Sequence, residues 1–279
     1  MKVQKTKNIV SEDGIVMAIY GLPKVGKTSF AASTSKVGNT LIMDFEKGTK
    51  YLGERGINCD VVVMKEWFSK NESKGMSAFV KDYQTIVVDP VGQAMDFIIN
   101  GDSIKGEKYR QNDGTLTTSG WMEVKTKMGK FIQFLKSTGK DILLVFHAEV
   151  ETFENQHYYS LMIATKLKTI IPGMVEIISY LSVVTKDGET KRILHTPAAG
   201  ENYVSGDRTG RVPETIEISE MHGWEDFKKA LRPKGFNEEN ESKDYTNSTM
   251  TEEEAAAIAE LDKSEKKLDE AMNKKDIEV

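Results

Sequence analysis

Residues Gly21-Leu22-Pro23-Lys24-Val25-Gly26-Lys27-Thr28 fit the pattern G-x-x-x-x-G-K-[ST] at every fixed position. They follow the apolar run Ile15 to Tyr20 and open a helical stretch, Lys27 to Ser35, which is the strand, loop, helix order that such a phosphate-binding loop needs. Gly21 and Gly26 let the backbone curl so that its N–H groups face phosphate oxygens, and the helix N-terminus adds partial positive charge. Gly21, Leu22, Pro23, Lys24, Val25, Gly26, Lys27, Thr28 and Ser29 are the expected nucleotide contacts. Lys27 is expected on the β- and γ-phosphates and Thr28 on Mg²⁺, whereas Lys24, at a free position, is expected to face solvent.

The rest of the chain extends this unit into a sheet. Strand-length apolar runs follow at Thr40 to Asp44, Asp60 to Met64, Thr85 to Asp89 and Asp141 to His147. Between the last two, Trp121, Val124, Met128, Phe131, Ile132 and Leu135 recur at helical spacing. Alternating strands and helices predict an α/β fold, a mostly parallel sheet covered on both faces. Ile177 to Thr185 and Lys191 to Thr196 flank Lys186-Asp187-Gly188-Glu189, and Asp-Gly between β-rich runs predicts a β-hairpin extension.

Charge divides the chain unevenly. Asn237 to Val279 holds 14 acidic and 6 basic residues, a net of −8, while residues 1–236 carry a net of +3. The expected organisation is a nucleotide-binding body over 1–236 and a flexible acidic tail over 237–279. In the tail, Ser242 to Thr251 reads as a linker, and Thr251 with Glu254 as a capping box. Ile258, Leu261, Leu268 and Met272 form the thin apolar stripe of the helix it opens, and two uses of the tail are expected: its acidic charge competes for the basic segments of the body, or the stripe docks a partner protein as a helix formed on binding.

No apolar run approaches the roughly 20 residues of a membrane helix, and Met1 to Ile9 has three lysines but no apolar leader segment. With Cys59 as the single cysteine, internal disulfides and cysteine-based zinc sites are excluded. These features lead to the expectation of a cytoplasmic protein with no membrane contact.

Two further strand ends carry chemistry. Asp89 closes an apolar strand, as a Mg²⁺-holding carboxylate does in nucleotide hydrolases. Pro90 follows it, so a base for hydrolysis has to come from elsewhere. Asp44-Phe45-Glu46 ends a second strand, and alternate residues share a face, which would aim both carboxylates at one edge.

The chain resembles the RecA-like ATPases, and among them the small phage-encoded, core-only members associated with single-strand annealing and recombination. The likeness spans about Ile15 to Ile216. It rests on the phosphate loop, Asp44-x-Glu46, the strand ending in Asp89, and the strand Ile142 to His147 with Ala148-Glu149. It implies Glu46 as general base and His147, with Glu149 second, as the γ-phosphate sensor. It also implies an arginine finger acting on a neighbouring subunit: Arg208, with Arg211 as substitute. The lysine that precedes that arginine in some members is absent, since Ser205 and Gly206 stand there.

Two polar segments match the positions of the family's DNA-binding loops. Gly101 to Gly120 holds Lys105, Lys108, Tyr109 and Arg110, and Val150 to Lys168 holds Tyr158, Tyr159, Lys166 and Lys168. Cations interleaved with rings suit single-stranded DNA, although Asp102, Glu107, Asp113, Glu151 and Glu154 dilute the charge. The expectation is an oligomeric, Mg²⁺-dependent ATPase that binds ATP and acts with single-stranded DNA and, through its tail, with a single-strand-binding protein or another recombination partner. The alternatives are a P-loop small-molecule kinase, for which no arginine-rich lid segment precedes Arg208, and a non-hydrolysing ATP-binding assembly protein.

Overall fold

The computed structural model describes residues 14–68, 70–186, 189–196 and 202–232. The Asp187-Gly188 turn, the linker, the capping box and the acidic tail lie outside the described residues.

Among the described residues, ten strands form the sheet: β1 (Val16–Gly21), β2 (Thr40–Asp44), β3 (Asp60–Val63), β4 (Thr85–Asp89), β5 (Asp141–Phe153), β6 (Gln156–Leu161), β7 (Ile177–Lys186), β8 (Glu189–His195), β9 (Gly206–Asp207) and β10 (Thr215–Ile218). Their order is β10-β8-β7-β1-β5-β4-β2-β3, with β6 paired to β5 and β9 to β7. From β7 to β3 every neighbouring pair is parallel. β8 and β10 extend the sheet antiparallel, the hairpin extension read from the sequence.

Among the described residues there are seven α-helices: α1 (Lys27–Ala32), α2 (Lys70–Phe79), α3 (Val91–Asn100), α4 (Thr118–Ser137), α5 (Thr165–Lys168), α6 (Ile171–Met174) and α7 (Gly223–Ala230). Side-chain alternation in β1 builds both layers. Val16, Ala18 and Tyr20 join a core that includes Val124, Met128 and Phe131 of α4. Met17 and Ile19 join the opposite core with Phe30 of α1 and Trp224 and Phe227 of α7. Central strands buried on both faces need such uninterrupted apolar runs, which is why β1, β2, β4 and the first part of β5 contain almost no polar residue before their carboxyl ends.

The segment expected as a loop from Val150 to Lys168 is structured. β5 runs beyond His147 and turns back as β6, pairing from Ala148↔Leu161 to Phe153↔Gln156. Glu154 and Asn155 both have positive φ, 48° and 63°, the backbone of a tight two-residue hairpin turn. Only Asn155 signals this in the sequence, because glutamate seldom takes that conformation.

Helix α7 closes the second core. Phe227 is fully buried, with its ring edge-on to Phe30 at 6.4 Å and stacked with Trp224 at 5.1 Å. Phe227→Ala is expected to cost about 3–5 kcal/mol of stability through lost burial and the cavity left behind, read as a lower urea midpoint with little change in slope. No helix among the described residues is long and apolar enough to cross a membrane.

Candidate active site

The register of the parallel strands brings the predicted residues to one edge. Gly21 pairs with His147 across β1 and β5, and Asp44 pairs with Asp89 across β2 and β4. Because β5 separates β1 from β4, His147 emerges between the phosphate loop and Asp89. A cleft of about 450 Å³ opens there, lined by Lys24, Lys27, Thr28, Glu46, Asp89 and His147 among others.

The loop has the conformation that its glycines permit. Gly26 caps α1 with φ 101°, a left-handed value costly for residues with a Cβ. A Cβ on Gly21 would fall 2.4 Å from the Leu181 carbonyl oxygen, so β7 can pass beside the loop only because Gly21 lacks one. Lys24 is exposed, as expected, yet it lines the cleft and has φ 67°.

Lys27 is buried and donates from Nζ to the carbonyl oxygens of Gly21 at 2.9 Å and Leu22 at 2.8 Å. Burial lowers its pKa, opposed by the charges of Asp89 and Glu46. Thr28 Oγ1 donates to Asp89 Oδ2 at 2.7 Å. Burial pushes the Asp89 carboxyl up to about 6, against the pull of the Thr28 hydrogen bond, with Glu46 and Asp44 raising it further. A buried carboxylate beside other carboxylates is stabilised by a cation.

Thr28 and Asp89 fit Mg²⁺. They offer hard oxygens 2.7 Å apart, and the ion takes one or two protein oxygens plus phosphate and water rather than an all-protein cage. Among the described residues, no cluster of three or more His, Cys, Asp or Glu side chains could hold a metal by itself.

Asp44 and Glu46 divide their labour, which corrects the expectation that both carboxylates face the cleft. Asp44 is 1% exposed. Its carboxylate accepts from the backbone N–H groups of Glu46, Gly48 and Thr49, and from the Thr49 hydroxyl. It thereby builds the turn that presents Glu46. Glu46 reaches the cleft, where its Oε2 lies 3.0 Å from His147 Nε2. Glu149, the second sensor candidate, is paired with Lys168 and lines not the nucleotide cleft but a neighbouring one beside Met162, which shares His147 with it.

The arginine candidates sit elsewhere. β9 pairs Asp207 with Ile177, and Ile177 pairs with Met17, four residues before Gly21. Arg208 is therefore at the opposite end of the sheet from the phosphate loop, with Nη2 donating to the Gly173 carbonyl at 3.3 Å. Arg211 donates from Nε to the Arg232 carbonyl at 2.9 Å. Neither serves its own cleft.

Several expected DNA contacts are committed to the fold. Arg110 donates to the carbonyls of Ile104, Gly114 and Ile99, which makes it the brace of its loop. Tyr109 packs against the core. Lys168 is held by Glu149 and Glu151. Tyr159 stacks among Tyr180 and Tyr203 at 4.9 and 5.7 Å, and half-buried Tyr158 donates to Gln156 Oε1 at 3.2 Å. Lys105, paired with Asp102, and Lys108 and Lys166 remain exposed.

Sequence reasoning missed Tyr51 and Arg55, which line the same cleft. Arg55 Nη1 reaches Ser29 Oγ at 3.4 Å and Glu220 at 3.1 Å, and Glu220 also holds Arg192 at 3.2 Å. No motif marks these residues, since Glu220 comes from beyond β10, far along the chain.

The AAA domain family (AAA_24) matches residues 13–209. The chain belongs to this family. The matched span begins just before β1, ends at Thr209 and so takes in every lining residue of the cleft, and membership makes the chain a P-loop ATPase, in keeping with its mostly parallel α/β sheet. The AAA domain match stops short of α7, although α7 completes the second core. Among solved structures, the chain is similar to the KaiC-like protein PH0186 from the hyperthermophilic archaeon Pyrococcus horikoshii OT3, at 14% identity over 66% of this chain and 78% of that one, with a TM-score of 0.39. No curated protein matches the chain.

Proposed function

We propose that the protein is a Mg²⁺-dependent ATPase stimulated by single-stranded DNA, working as an oligomer in recombination or strand annealing of the kind the phage-encoded RecA-like ATPases carry out. The observation that carries the hydrolytic reading is the Glu46–His147 contact at 3.0 Å, in the cleft that Lys27, Thr28 and Asp89 also line. A carboxylate so placed can take a proton from a water attacking the γ-phosphate. The water oxygen bonds to phosphorus, the bond to the bridging oxygen breaks, and ADP and phosphate leave. Lys27 and the loop N–H groups stabilise the charge that spreads over the phosphoryl oxygens. Mg²⁺, held by Thr28 and Asp89, would neutralise the β- and γ-phosphate oxygens. His147 gives the cleft a sensor, because its imidazole leaves Glu46 when a γ-phosphate offers a stronger acceptor.

The body's net +3 and the exposed lysines beside the carboxyl edge support the DNA partner. The cytoplasmic setting and a trans-acting Arg208 belong to the same reading. ATP turnover with and without an oligonucleotide, repeated with small-molecule acceptors, tests it: strand-stimulated release of phosphate is expected, and transfer to an acceptor would establish the kinase alternative.

Because Arg110 braces its loop, the electrostatic contribution of that loop is best probed with Lys105→Ala and Lys108→Ala together. The pair is expected to lower single-strand affinity and reduce the steepness of its salt dependence by about one to two phosphate contacts, with ATP affinity unchanged. An unaltered slope in salt titrations would remove this loop from the DNA surface.

A further inference from the structure

A second cavity, of about 670 Å³, lies on the α3 and α4 face, walled by the segment after β3, by α3 and by the start of the loop that follows it. Its interior is aromatic: Trp67 and Phe68 on one side and Phe97 on the other. Trp67 is braced edge-on by Phe131 at 5.2 Å, so its ring is held in place while remaining half-exposed. Lys65 and Lys127 stand at the rim, and Gln93 and Asn100 bring amide donors and acceptors inside. The lining acids are compensated in part, since Asp102 is paired with Lys105.

Rings within, amides between them and cations outside match the chemistry of a nucleobase carried on a phosphate backbone: the base stacks, its edge is hydrogen-bonded, and the flanking phosphates meet lysines. Two of the lining rings also pack against the catalytic strand end. Phe45, between Asp44 and Glu46, is 4% exposed, packs parallel to Trp67 at 6.4 Å and meets Phe97 edge-on at 5.5 Å. Neighbouring residues at a strand end face opposite ways, so Phe45 packs behind the aromatic wall of the cavity, against Trp67 and Phe97, while Glu46 lines the nucleotide cleft.

We infer that this cavity is a base-binding pocket for single-stranded DNA, and that an inserted base acts on ATP hydrolysis by repacking Phe45 and thereby repositioning Glu46. The inference rests on the single-strand-dependent reading above and locates the contact through which the strand would stimulate turnover. Phe45 is a positioning residue here, since it acts through Glu46.

The test uses the full chain, an oligothymidylate, the same oligomer with abasic sites, and free thymidine monophosphate. The oligothymidylate is expected to quench tryptophan emission in the wild type and to leave it unchanged in Trp67→Phe, whose strand affinity by anisotropy stays within about twofold because a ring is retained. Phe97→Leu is expected to lower affinity about tenfold, the scale of one lost stacking contact, and to abolish strand stimulation while basal turnover persists. The abasic strand should neither quench nor stimulate. If the oligomer binds and stimulates but Phe97→Leu responds like the wild type, or the abasic strand quenches equally, the pocket is not the base site and the ATPase reading stands. Equal quenching by the free nucleotide at the same concentration would assign the pocket to mononucleotides instead. If no strand binds the wild type, both the pocket and the DNA-dependent function fall.

Discussion

Glu46→Gln is expected to cut ATP turnover by on the order of a hundredfold or more, the usual weight of a general base, while ATP affinity remains nearly that of the wild type. The amide keeps the shape of the side chain and can still hydrogen-bond to His147, so the geometry of the cleft survives and only the proton acceptor is lost. Asp44 separates this chemical effect from a structural one. Its carboxylate builds the turn that carries Glu46, so Asp44→Asn should lower both activity and stability, whereas Glu46→Gln should lower activity alone. Glu149→Gln gives the matching control: because Glu149 is paired with Lys168 away from the nucleotide cleft, turnover should persist. Single-turnover phosphate release, measured beside equilibrium nucleotide binding, checks all three, and loss of turnover in Glu149→Gln with survival in Glu46→Gln would transfer the base to Glu149.

Lys27→Ala should abolish hydrolysis and weaken nucleotide binding together, because the cation bears on the phosphates in both the ground state and the transition state. The fold should tolerate the change. Lys27 is a buried cation whose pKa is lowered by burial, and its two carbonyl partners lie in the loop itself, where water can replace it. Wild-type melting with no detectable turnover is the expected pair of results, and wild-type turnover would remove Lys27 from the catalytic machinery. A lysine-to-arginine change is not a neutral control here, since the planar guanidinium does not fit the space that a single ammonium occupies between Gly21 and Leu22.

The loop from Gly21 to Thr28, the strand ends at Asp89 and Glu46, and the two-layer α/β character were legible in the sequence, because each is written in contiguous residues. A curled phosphate loop needs glycines at fixed spacing, and a strand buried on both faces needs an unbroken apolar run such as Ile86 to Val88. Tertiary structure alone decided what those residues do beside one another. Whether Asp44 or Glu46 faces the nucleotide depends on which carboxylate the turn's own N–H groups capture. Whether Arg110 and Lys168 are available to DNA depends on carbonyls and carboxylates that come close only after folding. The Phe45–Trp67 packing and the Arg55–Glu220 pair likewise join segments whose separation along the chain carries no pattern. Local periodicity and turn chemistry act over a few residues, whereas charge pairing and side-chain stacking are set by sheet order and register, which bring together parts of the chain with no local relation to one another.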